Sequence, residues 1–220
     1  MFWKSRPQSL ADIKGKLALP LEEAKRRAKI LVIDDDVTAF PVERLRSEGY
    51  NIQHWEKLET LRGLEEGQFD IIILDIHNIC SEGVSMNDGL GVLEHLKSVN
   101  PAQIVIAFSG KKFDLRQEKF WKIADDYLGK PIDMLTAKAR IDSLLRERFT
   151  IEHYWQNLAS YLKAQGLDEG TIGKLESALS EAATKKRKLT ESDVRGLLSA
   201  GKDIISTAWI IVQVILKLAG

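Results

Sequence analysis

The chain has 220 residues, of which 44% are hydrophobic and 29% are charged, so it has the composition of a globular protein with room for one domain and a smaller companion. Its 32 basic and 32 acidic residues cancel, and no overall charge attracts it to nucleic acid or to an anionic membrane. A single cysteine, Cys80, excludes an intramolecular disulfide, and the first residues contain no apolar run typical of a signal peptide. We therefore expect a cytoplasmic protein.

Residues 1–28 are predicted to form an N-terminal helical extension. From residue 29 to residue 148, short β-branched apolar runs alternate with segments of helical periodicity. This alternation predicts an α/β domain with a flavodoxin-like, doubly wound, five-stranded parallel sheet. The predicted strands are residues 30–33, 50–55, 71–74, 104–108 and 127–128.

The segments between the strands predict helices. Leucines recur at helical spacing at Leu58, Leu61 and Leu64, and again at Leu90, Leu93 and Leu96. The pair Asp88-Gly89 is placed to begin the second of these helices. Pro41 lies where the first helix of the domain should run, so we expect that helix to be short.

Residues 149–220 are predicted to be an all-helical C-terminal domain. Asp168 can cap a helix that runs towards residue 185, and Thr190 with Asp193 matches a capping box. Gly201 separates that short helix from a last one. Two alternatives remain at the start of this domain: the last helix of the preceding domain runs directly into it, or a break occurs near residues 149–151, where two residues are β-branched.

The last helix contains the most apolar run of the chain, residues 204–216. As a helix this run is about 20 Å long, short of the roughly 30 Å that a hydrocarbon core requires. It is apolar on more than one side, so we expect other helices, a second subunit or lipid to cover it. A homodimer is our preferred expectation, and action on membranes is a less favoured one.

Polar residues follow four of the predicted strands. The first strand ends in Asp34-Asp35-Asp36, the third in Asp75, the fourth in Ser109 and the fifth in Lys130. Carboxyl ends of parallel strands share one edge of the sheet, where ligands bind. Clustered carboxylates repel one another unless a cation neutralises them, and Mg²⁺ prefers such oxygen ligands.

Four motifs at these strand ends resemble those of a known family. They read Leu31-Val32-Ile33-Asp34-Asp35, Ile72-Ile73-Leu74-Asp75, Ile106-Ala107-Phe108-Ser109-Gly110 and Tyr127-Leu128-Gly129-Lys130-Pro131. Each motif is weak alone, but four in order at the right strand ends form a specific set. Over residues 29–147 the sequence resembles the response-regulator receiver family.

The resemblance implies that Asp75 is the phosphoacceptor and that Mg²⁺ is the cofactor. Asp35 and Asp75 would bind the ion directly, Asp34 would help through water, and the backbone carbonyl of His77 would complete the site. A sensor histidine kinase or a phosphotransfer protein would be the partner that supplies the phosphoryl group.

The resemblance also assigns the residues that bind the phosphoryl group. Ser109 and Lys130 would contact it, and Tyr127 would be the switch aromatic coupled to Ser109. Because the lysine acts on the phosphoryl group, we expect Lys130→Ala to leave the fold largely intact. The sequence departs from the family after Asp75, where an insertion that begins with residues 79–83 replaces the usual Met-Pro.

Three functions remain open at this stage. The first is a signalling switch that has no catalysis beyond its own phosphorylation and dephosphorylation and controls a helical protein-interaction or oligomerisation region. The second is a phosphatase of the haloacid-dehalogenase kind, because Asp34-Asp35-Asp36-Val37-Thr38 also fits its D-x-D-x-T motif with Asp34 as nucleophile and Asp36 as acid/base. The third is a receiver-regulated effector whose helices act on membranes.

Nucleic-acid binding is disfavoured. Residues 151–220 contain nine basic and eight acidic residues, which is a poor match to the charge of DNA. The basic run at residues 185–188 is more typical of a solvated helix end.

Overall fold

The computed structural model describes residue 10 and residues 19–110, 122–185 and 187–220. The chain divides into two compact units. One unit is Pro20–Phe149, and the other combines Met1–Leu19 with Thr150–Gly220.

The first unit is built on a five-stranded parallel sheet. Its strands are β1 (Ile30–Ile33), β2 (Ile52–Trp55), β3 (Ile71–Asp75), β4 (Ile104–Ser109) and β5 (Asp126–Gly129). They lie in the order β2-β1-β3-β4-β5, and every neighbouring pair is parallel. All residues of β1, β3 and β4 are buried, as their continuous apolar runs require. The prediction of a flavodoxin-like doubly wound sheet is confirmed.

Five described helices belong to this unit: α1 (Leu21–Arg27), α2 (Val42–Ser47), α3 (Arg62–Glu65), α4 (Asp88–Val99) and α5 (Met134–Glu147). The short α2 confirms the expectation drawn from Pro41. The helix expected from the leucine spacing at residues 58–64 was too long, since α3 has four residues. Leu58 lies outside it because its backbone instead pairs with Cys80 as an isolated parallel bridge.

Helix α1 is part of the sheet unit and packs against α5. Its Lys25 is 5% exposed, and the ammonium lies 5.0 Å from the centroid of the Tyr50 ring and 3.9 Å from Asp142. This buried cation is paired, as burial of a charge requires. Most of the rest of the predicted N-terminal extension, residues 1–9 and 11–18, lies outside the described residues.

The second unit contains four described helices: α6 (Ile151–Ala164), α7 (Glu169–Lys185), α8 (Glu191–Leu198) and α9 (Lys202–Ala219). The predicted caps are confirmed, because Asp168 accepts a hydrogen bond from the Thr171 N–H at 3.0 Å, and Thr190 with Asp193 forms a capping box. Of the two alternatives at the start of this unit, the break is observed, because α5 ends at Glu147 and Thr150 caps the start of α6.

Helix α9 is the central helix of this unit and packs against α6, α7 and α8. The hydrophobic residues it buries are Ile205, Ala208, Ile211, Val212, Ile215 and Leu218. Trp209, Ile210 and Val214 are half-buried. The sequence left open whether other helices, a second subunit or lipid covers the apolar surface of this helix. In the structure, other helices of the same unit cover most of it. Across the described residues, none of the helices has the length and apolarity needed to cross a membrane.

Candidate metal centre at the carboxyl edge of the sheet

Three aspartates meet at the carboxyl edge of the sheet. Strands β1 and β3 are neighbours with Ile33 opposite Leu74, so the residues that follow, Asp34 and Asp75, lie side by side. Asp34, Asp35 and Asp75 each offer a carboxylate oxygen, and these oxygens lie within 4.8 Å of one another. The parallel register thus gathers the carboxylates that the sequence keeps forty residues apart.

Lys130 lies directly after β5 and contacts two of the carboxylates. Its Nζ is 2.6 Å from Asp34 Oδ2 and 2.6 Å from Asp75 Oδ2. The ammonium also lies 5.0 Å from the centroid of the Phe108 ring. The backbone supports this placement, since the Lys130 N–H donates to the Ser109 carbonyl at 3.1 Å.

The buried environment changes the acid–base properties of the pair. Burial raises the pKa of Asp75, and the hydrogen bond and charge of Lys130 offset part of that rise. Burial alone would lower the pKa of Lys130, but its contacts with Asp34 and Asp75 leave that pKa above its usual value. The lysine is therefore a fixed positive charge at neutral pH.

The donor set fits a divalent cation. Three carboxylates and one ammonium leave two formal negative charges within a few ångströms, which is the charge that one Mg²⁺ would balance. All candidate ligands are hard oxygen donors, the kind that Mg²⁺ prefers. Asp34 and Asp75 are buried whereas Asp35 is exposed, so the ion would be reached from the Asp35 side.

The phosphatase alternative has no support in this geometry. Its nucleophile would be Asp34, whose side chain is 0% exposed and is held by Lys130 through Oδ2 and by the Asp36 N–H through Oδ1. Its acid would be Asp36, which is exposed and accepts hydrogen bonds from Thr38. The hydrogen bond from the Thr38 side chain lowers the pKa of Asp36, so this carboxylate stays ionised at neutral pH and has no proton to donate.

The remaining predicted site residues lie on neighbouring strands. Ser109 is the last residue of β4 and is 9% exposed. Tyr127 on β5 is 62% exposed and lines a groove of about 720 Å³ together with residues of α5. His77 follows the end of β3 by two residues, with a half-buried side chain. The structure thus brings Asp34, Asp35, Asp75 and Lys130 into one cluster, and places Tyr127 on an outer face.

The insertion after Asp75 is anchored to the domain. Ile79 is completely buried, its carbonyl accepts from the Leu58 N–H at 2.6 Å, and Asp88 Oδ1 accepts from the backbone N–H groups of Ile79 and Cys80. Burial raises the pKa of the Cys80 thiol to about 12, and Asp88 adds to the rise. At neutral pH the Cys80 thiol is therefore protonated and a weak nucleophile.

Sequence reasoning missed two residues that support the cluster. A Cβ on Gly89 would lie 2.1 Å from the Asp75 carbonyl oxygen, so only glycine permits α4 to approach the acceptor strand. The ring of His54 lies 2.9 Å from the Asp34 carbonyl oxygen, although the sequence gave this histidine no role. The Asp88-Gly89 pair was a visible signal, but it was interpreted only as a helix start.

Comparisons with known proteins found curated relatives of this chain. The chain is 25% identical to the transcriptional regulatory protein ZraR of Escherichia coli (strain K12) over 186 residues, which is 81% of this chain and 40% of ZraR. It is 32% identical to the transcriptional regulatory protein PrrA of Mycobacterium tuberculosis over 123 residues, which is 54% of this chain and 51% of PrrA. The chain thus spans about half or less of the length of these curated relatives.

Among solved structures, the chain is similar to a CheY-like response regulator receiver domain protein from Methanospirillum hungatei JF-1. The identity is 22% and the TM-score is 0.45, and the match covers 55% of this chain and 95% of that one. No family model matches the chain.

Proposed function

We propose that this chain, which carries a receiver domain of the response-regulator family, is a signalling switch in which a partner kinase or phosphotransfer protein phosphorylates Asp75. The observation that carries the proposal is the cluster of Asp34, Asp35 and Asp75 with the Lys130 ammonium, 2.6 Å from two of the three carboxylates. Three separate strands, β1, β3 and β5, supply these groups to one edge of the sheet. A purely structural role does not account for this much buried charge.

In the proposed reaction, an oxygen of the Asp75 carboxylate attacks phosphorus and forms a P–O bond. The bond from phosphorus to the donor's leaving group breaks, its electron pair stays with that group, and Asp75 becomes an acyl phosphate. Bound Mg²⁺ would supply positive charge to the phosphoryl oxygens. Lys130 binds one of these oxygens with its ammonium group, and the Ser109 hydroxyl donates to another. We expect no catalysis by this chain beyond that transfer and the hydrolysis of the acyl phosphate, in which water attacks phosphorus, inorganic phosphate leaves and the Asp75 carboxylate is regenerated.

Incubation with acetyl phosphate and Mg²⁺, followed by intact-protein mass spectrometry, tests the proposal. Wild type should gain one phosphoryl group, and chelation of Mg²⁺ should prevent it. Asp75→Asn should gain none, whereas the control Asp36→Asn should be labelled like wild type. Labelling that survives Asp75→Asn and disappears in Asp34→Asn would favour the phosphatase instead, because Asp34 is the nucleophile in that function.

For the output, we propose that the helical unit binds a protein, most simply a second copy of the chain. The half-buried Trp209, Ile210 and Val214 of α9 are the apolar residues available for such a contact. Sedimentation with and without beryllofluoride should show a dimer that Val214→Lys disrupts. The control Gln213→Lys changes an exposed neighbour and should leave it intact. A chain that stays monomeric at tens of micromolar in both states would contradict this output.

DNA binding is a second candidate output, favoured by the printed description of both relatives as transcriptional regulatory proteins. Two observations oppose it: the near balance of charge over residues 151–220, and the position of α9, which packs against three other helices of its unit rather than standing apart as a recognition helix. Fluorescence anisotropy with a mixed-sequence duplex decides between the outputs. Binding that weakens steeply with added salt would establish the DNA output.

A further inference from the structure

The backbone of Asp34 is held by β2 on both sides of the residue. The Asp34 N–H donates to the Trp55 carbonyl at 3.0 Å, which continues the ladder between β1 and β2. The Asp34 carbonyl is met by a side chain, because Nε2 of His54 lies 2.9 Å from it. A carbonyl oxygen only accepts, so Nε2 carries the hydrogen in this bond. The histidine thus supplies the donor that a further ladder residue would have supplied.

This bond controls the residue that follows. The Asp34 carbonyl belongs to the planar peptide group that joins Asp34 to Asp35, so fixing its oxygen also fixes where the Cα of Asp35 lies. Asp35 is exposed, and its carboxylate takes its position from the backbone that carries it. On the far side, the Asp36 N–H donates to Asp34 Oδ1 at 2.9 Å. The backbone on both sides of Asp35 is therefore held by a hydrogen bond to a side chain, and His54 makes one of these two bonds.

We infer that His54 is a positioning residue for the metal centre, which keeps the Asp35 carboxylate within reach of the cation that Asp34 and Asp75 also face. The inference rests on the proposed function, since it names a residue that acts on the same site. It adds a component from β2, a strand that contributes none of the clustered carboxylates. A histidine that merely filled space would need bulk at this position but no donor.

Titration of the full chain with Mg²⁺ alone, followed by calorimetry, provides the test. His54→Ala removes the donor and should raise the Kd for Mg²⁺ about tenfold, as loss of a group that orients a ligand commonly does. His54→Gln should recover most of the affinity, because its amide can donate to the same carbonyl. Gln53→Ala changes the exposed neighbour on β2 and should bind like wild type. Hydrogen exchange of the Asp36 amide by NMR, without metal, should be faster in His54→Ala than in wild type and His54→Gln.

Two results would overturn the inference: wild-type Mg²⁺ affinity in His54→Ala, or equal loss in His54→Ala and His54→Gln when both are folded. If His54→Ala does not fold, His54→Asn, whose amide is too short to reach, replaces it in the comparison. A wild-type chain that binds no Mg²⁺ would remove the proposed metal site. Exchange at the Asp36 amide would still decide whether His54 holds the turn, and an unchanged rate would reject that role.

Discussion

Replacement of Lys130 by methionine should destabilise the sheet unit in the absence of Mg²⁺. The substitution keeps most of the side-chain volume and removes the charge. It leaves Asp34, which is completely buried, and Asp75, whose side chain is 7% exposed, without their cation. The sequence alone suggested that the fold tolerates loss of this lysine, because the two ion pairs are not visible in it.

The size of the effect follows from the burial of the partners. Removing one member of a buried ion pair costs about 3–5 kcal/mol, and the 17% exposure of the Lys130 side chain reduces this to roughly 2–4 kcal/mol. Lys130 holds down the pKa of Asp75, so its loss raises that pKa further above the unfolded value. The folded variant then binds a proton more readily, and the destabilisation is largest at neutral pH and shrinks as the pH falls.

Urea unfolding with and without Mg²⁺ measures this effect, with hydrogen exchange of β3 amides reporting on the sheet unit. Lys138→Met is the matched control, because Lys138 pairs with Glu48 on the surface, where an ion pair contributes about 0–1 kcal/mol. Saturating Mg²⁺ should restore part of the stability of Lys130→Met, since it binds only the folded carboxylates. Equal stability of the two variants at neutral pH without Mg²⁺ would refute the reasoning.

Two further substitutions probe the surroundings of the acceptor. Gly89→Ala should lower the free energy of unfolding by about 1–3 kcal/mol, because its Cβ would lie 2.1 Å from the Asp75 backbone oxygen. As a control, the Cβ of Gly173→Ala on α7 meets open space, so this substitution should raise the free energy of unfolding by about 0.5–1 kcal/mol. Urea midpoints compare them, and a wild-type midpoint for Gly89→Ala would reject the close approach. Alkylation of Cys80 by iodoacetamide should still accelerate above about pH 10, since its thiol pKa is raised to about 12, and Asp88→Asn should bring that acceleration to lower pH. A rate that levels off near the usual thiol pKa would contradict the burial of Cys80.

The sheet was predictable because its signal is local. Three buried strands are short apolar runs rich in β-branched residues, and this composition favours strands that are buried on both faces of a sheet. The helix near Leu58 was not predictable, because the leucine spacing there is helical but the backbone of Leu58 bonds to Ile79 and Ser81 of the distant insertion. Such backbone hydrogen bonds between segments distant in the sequence override the local helical periodicity and cannot be predicted from it.

Some residues of the site could likewise be predicted from the sequence, and others could not. Asp34, Asp35, Asp75 and Lys130 could be grouped from the sequence because each lies at or just after the carboxyl end of a strand, and parallel strands end at one edge of the sheet. The role inferred for His54 could not be predicted from the sequence. It depends on the strand register, which places His54 opposite Val32, and on the orientation of the His54 ring towards the Asp34 carbonyl. The pairing of Lys130 with both Asp34 and Asp75 could not be predicted either, because it depends on the distances between the side chains and on their burial.

The central claim is that Asp75 itself receives the phosphoryl group, and chemical mapping of the modified residue tests it most directly. After treatment with acetyl phosphate and Mg²⁺, borohydride reduces an aspartyl phosphate to homoserine, and peptide mass spectrometry locates that residue. The account predicts homoserine at position 75 in wild type, none in Asp75→Asn, and none when Mg²⁺ is chelated. Homoserine at position 34 or 36, with Asp75 unmodified, would contradict it.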